Sequence, residues 1–97
     1  MTPEQVRALL LGAHCAYTAR IHRVALTNGR KEWRRTDLGM AIPCVYMGWR
    51  TLSEGVNDYT PEEGFVYVAD RHLSAALVVY DARCKPVFVP FDALEVR

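Results

Sequence analysis

Cysteine is scarce in this chain and no apolar run is long, and each shortage removes a class of protein. The three cysteines, Cys15, Cys44 and Cys84, are odd in number and widely spaced. They read as buried free thiols of a reducing compartment, not as a disulfide framework. The longest apolar stretch near the start, Val6 to Cys15, is broken by Arg7 and has neither a basic leader nor the length to cross a bilayer. The expectation is therefore a soluble cytoplasmic protein without signal peptide or membrane span. His14, His22 and His72 stand at no ligand spacing with any cysteine, so no metal is expected. No motif specifies a named chemistry, which leaves no cofactor and no catalytic residue to assign and makes the reading non-enzymatic. A thiol nucleophile at Cys44 or Cys84 with a histidine is the enzymatic alternative, without a flanking signature.

What is present is an ordinary globular composition, 51% hydrophobic and 24% charged over 97 residues, which excludes a disordered tail and suits one domain spanning 1–97. Net charge is +1 but unevenly divided: residues 1–50 carry net +5 and residues 51–97 net −4. The halves attract each other, and a polarised surface is one consequence.

Thr2-Pro3-Glu4-Gln5 has the grammar of a helix start, with Thr2 as N-cap, Pro3 in the first turn and Gln5 three residues after the cap. Val6, Leu9, Leu10, Ala13, Ala16, Tyr17, Ile21 and Val24 then recur on one helical face. Taken whole, the pattern predicts one amphipathic helix from about Pro3 to Thr27, within a helical segment 1–29 stopped by Asn28-Gly29. The competing reading is a short helix ending at Gly12, followed by a hairpin that turns at Asn28-Gly29. The unbroken phase of the apolar face favours the helix.

Residues 30–97 read as a small β unit. Ala41 to Arg50 predicts a strand with Pro43 at an early or edge position. Thr51 to Gly64, rich in turn formers, predicts a long loop leading to the strand Phe65-Val66-Tyr67-Val68. Ala75 to Tyr80 predicts a strand, Asp81 to Lys85 a connector, and Val87-Phe88-Val89 a further strand, followed by a short helical turn and a final strand. The fold class is α+β: an N-terminal amphipathic helix packed on a small antiparallel SH3-like β-barrel.

One basic cluster stands out: Arg20, Arg23, Arg30, Lys31, Arg34 and Arg35, with Trp33 inside it. Arginines that neutralise phosphates beside an indole that stacks on a base are what a single-stranded nucleic-acid site requires. A charged face paired with the acidic second half is the plainer reading. Glu54, Asp58, Glu62 and Glu63 read as a solvated acidic loop, and Tyr46, Trp49, Tyr59, Phe65 and Tyr67 as core with one or two anchors. The candidate binding residues are Arg30, Lys31, Trp33, Arg34, Arg35, Trp49 and Tyr59.

The segments Cys44 to Gly55, Ala75 to Tyr80 and Lys85 to Leu94 together resemble small bacteriophage and prophage proteins with an SH3-like strand order. The resemblance implies a phage accessory protein acting in the host cytoplasm. It would bind and occlude a host protein or nucleoprotein complex, and inhibitors of CRISPR immunity are one group of such proteins. It carries no catalytic residue. The alternative function is a small nucleic-acid-binding module using the basic segment around Trp33. Oligomeric state is open.

Overall fold

A computed structural model describes residues 1–80 and 85–97. Thr2 caps the first helix, α1 (Pro3–Ala8), through the expected capping box: its hydroxyl accepts the Gln5 N–H at 3.2 Å while the Gln5 side chain accepts the Thr2 N–H at 2.9 Å. The long helix expected beyond it does not form, and α1 is six residues long. The chain instead continues into β1 (His14–Ala25).

Tyr17 and Ile21 of the helical face also fit a period of two with Cys15 and Ala19, although Ala16 is buried on the opposite phase. Cys15, Tyr17, Ala19 and Ile21 are buried, while His14, Arg20 and His22 are exposed. Asn28-Gly29 decides between the readings. Gly29 has φ +81° and donates to Leu26 O, and Leu26 N–H donates to Arg30 O at 2.7 Å, a short hairpin loop with glycine in its left-handed position. The short-helix-and-hairpin alternative is the observed one, with the helix ending at Ala8 and not at Gly12.

β2 (Arg30–Thr60) is 31 residues long and serves two partners. Its first half pairs with β1, and Val45 to Thr60 pairs with β3 (Gly64–Val79). The long loop expected from Thr51 to Gly64 is therefore wrong: it is strand up to Thr60, then a tight turn. Its turn-forming residues are held by the ladder opposite, and one of them, Gly55, is needed there. A Cβ at Gly55 would overlap the Val68 carbonyl and lie 2.8 Å from the Ala69 Cα, at the point where Asp70 bulges out of β3.

The tail follows expectation: β4 (Val87–Pro90), a 3-10 turn at Phe91–Ala93, and β5 (Leu94–Val96). Most of the expected connector, with Cys84, lies outside the described residues.

The strands form one antiparallel sheet in the order β2-β3-β4-β1-β5, with β2 also pairing β1. The expected architecture is corrected on both counts. There is no substantial helix to pack, and the strands make a mostly β sheet to which no SH3-like barrel is assigned. β1 meets β4 at a single residue pair, Ile21 with Phe88. Val6, Tyr17, Tyr46, Val78, Val89 and Leu94 fill the centre of the core, with Phe91 and Ala93 of the 3-10 turn against them. No buried core side chain comes from 55–74, so the outer part of the β2–β3 pair is an arm beyond the core. The molecule measures 52 × 26 × 23 Å in consequence.

Among the described residues, no helix is long and apolar enough to cross a membrane.

Candidate functional site

The basic cluster divides into arginines that are used and cations that are not. The Arg30 guanidinium forks onto Asp70, Nη1 to Oδ2 at 2.6 Å and Nη2 to Oδ1 at 3.1 Å, and its Nε donates to Glu32 at 2.9 Å. Arg35 donates to Asp37 at 3.0 Å and to Asp92 at 2.8 Å. These charge-assisted bonds lower the acidity of both guanidiniums and hold the Asp70 and Asp92 carboxyls below the usual aspartate range. Arg34 has only a loose approach to Glu32, at 3.7 Å. Arg20, Arg23 and Lys31 form no ion pair among the described residues.

Trp33 is half-buried and fixed. Its backbone N–H donates to Glu54 Oε2 at 3.0 Å, its indole N–H to the Ser53 carbonyl at 3.1 Å, and its ring meets Phe88 edge-on at 5.3 Å. Glu54, expected in a solvated acidic loop, is buried at 6% exposure beneath these contacts, with Arg71 Nε at 3.5 Å.

Trp33 and Phe88 belong to a groove of about 500 Å³ where β1, β2 and the start of β4 meet. Its apolar lining is Ile21, Trp33, Val87 and Phe88 with Pro86, and its polar lining is Arg20, His22 and Arg23. Across the β1–β2 ladder Trp33 pairs with Arg23 and Arg34 with His22, while Lys31, opposite Ala25, lies two residues before Trp33 on the same strand and outside the lining.

Of the sequence-derived residues, Trp33 lines the groove, Lys31 and Arg34 are its neighbours along β2 outside the lining, and Arg30 and Arg35 are spent on intramolecular carboxylates. Trp49 and Tyr59 lie elsewhere. Trp49 is 37% exposed with the Arg7 guanidinium 4.7 Å from its ring centre. Tyr59 is ten residues further along the same strand, about 30 Å away at the usual rise. It stands near the arm tip against Phe65, with ring centres 5.4 Å apart and exposures of 62% and 81%.

Phe88 is a site residue that the sequence did not single out, and Phe65 was grouped among the aromatics of which one or two serve as anchors. Alternation placed both on strands, but nothing local says which ring they meet. Arg20 and Arg23 were legible as cations, and only the cross-strand register brings them beside Trp33.

A second cavity, about 460 Å³, is lined by His14, Cys15, Pro43, Cys44, Val45, Val79 and Arg97. Cys15 and Cys44 face each other across β1 and β2 as free, buried thiols. Burial pushes both up, Cys44 to about 12 with a further contribution from Cys15, which is the reverse of an activated nucleophile. Cys84 lies outside the described residues. No group of three or more metal-ligating side chains occurs among the described residues.

No family model, curated protein or solved structure matches the chain.

Proposed function

We propose that this is a non-enzymatic, phage-type binding protein that acts in the host cytoplasm by occupying a surface on a larger protein or nucleoprotein complex. Inhibition of CRISPR immunity is the sharpest form of this reading. The observation that carries it is the groove at Trp33, where Arg20 and Arg23, without carboxylate partners among the described residues, stand beside a fixed aromatic lining. Arg20, Arg23, Lys31 and Arg34 steer encounter with an acidic surface, and the apolar lining supplies short-range affinity.

The test compares two variants in capture from host extract. Reversing Arg20, Arg23, Lys31 and Arg34 together to Glu should abolish retention of the partner. Replacing Arg30 and Arg35 with Gln should leave most of it, because those side chains are already engaged. Equal retention by all three proteins would remove the groove as the contact surface.

The aromatic lining beside arginine also supports the alternative, a nucleic-acid-binding module. That reading requires affinity for a bare single-stranded oligonucleotide that falls steeply with salt. An electrophoretic titration at two salt concentrations separates the two, and no shift at micromolar protein disposes of the second.

A further inference from the structure

We infer that the groove at Trp33 receives the arm tip of a second copy of this chain, so that the protein self-associates head to tail and the arm competes with the partner for the groove. The inference rests on the groove being the contact surface, as proposed above, and adds its occupant.

The two surfaces are complementary in charge and shape class. From Thr51 to Asp70 the sequence holds five carboxylates and no Lys or Arg. Glu54 is buried under Trp33 and Asp70 is held by Arg30, which leaves Asp58, Glu62 and Glu63 around the tip. Beside these carboxylates stand the exposed rings of Tyr59 and Phe65, already packed edge-on against each other and touching no part of the core cluster. The groove offers the converse: arginines, an aromatic lining, and a volume of about 500 Å³ that accommodates an aromatic side chain. Acid meets base and ring meets ring.

The contact must be made between copies. Ser53, whose carbonyl holds the Trp33 indole, marks where groove and arm adjoin. Tyr59 lies six residues further along a strand paired throughout to β3, about 20 Å away. The Arg30–Asp70 pair and the Asn57 N–H bond to the Gly29 carbonyl brace the arm near its base. An arm so held cannot fold its tip into its own groove. A tip on one copy and a groove on the next make a heterologous contact, which propagates unless the rotation closes it.

Sedimentation of the full chain tests this. Wild type should gain mass with concentration, with Kd of about 1–100 µM for so small a contact, and lose it as salt rises. Tyr59→Ser with Phe65→Ser, and separately Arg20→Glu with Arg23→Glu, should each remain monomeric with unchanged circular dichroism. Mixed in equal amounts, the two variants retain one sound tip and one sound groove between them and should form a dimer and nothing larger.

A wild type that stays monomeric throughout, or variants that associate as wild type does, would overturn the inference. A mixture that stays monomeric would do so too. Loss of partner capture on groove reversal alongside a monomeric wild type would remove the arm as occupant and leave the functional reading standing. Restored dimers alongside unaltered capture would remove the functional reading, and the competition with it, and leave the arm as the groove's occupant.

Discussion

At the scale of single residues, Gly55 is the most constrained position in the arm. Any side chain there meets the Val68 carbonyl, a backbone group fixed by the β2–β3 ladder, so the strands would have to part. Gly55→Ala should cost about 2 kcal/mol or more and lower Tm by about 8 °C or more, read from a thermal melt. Little of this was legible beforehand, because Gly55 among Ser53, Asn57 and Asp58 carries the signature of a loop. Close approach to a strand distant in sequence leaves no local mark. Thr2 and Gln5 are the contrary case, since every group of the capping box lies within four residues.

At the scale of elements, what was readable depended on whether local pattern and tertiary pairing agreed. The closing run from Val87 to Val96 was read correctly because its alternation, Pro86 and the short Phe91-Asp92-Ala93 turn all favour the structure adopted, whereas the strands expected at Phe65–Val68 and Ala75–Tyr80 are one continuous strand, Gly64–Val79. Residues 13–27 were misread because helical and strand periods both fit so short an apolar set. The partner strand, supplied by residues 31–45, settled the matter. The arm is the element with the sharpest expectation. Because residues 57–67 contribute nothing to the buried core, replacing them with Asn-Gly between the paired Val56 and Val68 should keep the fold. Tm should shift by no more than about 5 °C. A loss of cooperative unfolding would show that the core depends on the arm.

At the scale of the whole molecule, the opposed charge of the two halves is partly consumed within the fold. Arg30 and Arg35 of the basic half hold Asp70 and Asp92 of the acidic half, and both carboxyls are depressed by those contacts. A carboxyl more acidic folded than unfolded stabilises the native state above its unfolded value, about 3.9, and that contribution disappears as pH falls through the lower folded value. The urea midpoint of wild type should therefore decline below about pH 4. In the Asp70→Asn, Asp92→Asn double variant the decline should be shallower, and identical curves would mean that solvent screens both pairs completely. The single β1–β4 pairing at Ile21 and Phe88 has a thermodynamic corollary. Those two residues line the groove as well as the seam, so an occupant of the groove clamps the weakest suture of the sheet. Recognition and mechanical integrity thus draw on one linked equilibrium: whatever fills the groove tightens the fold around it.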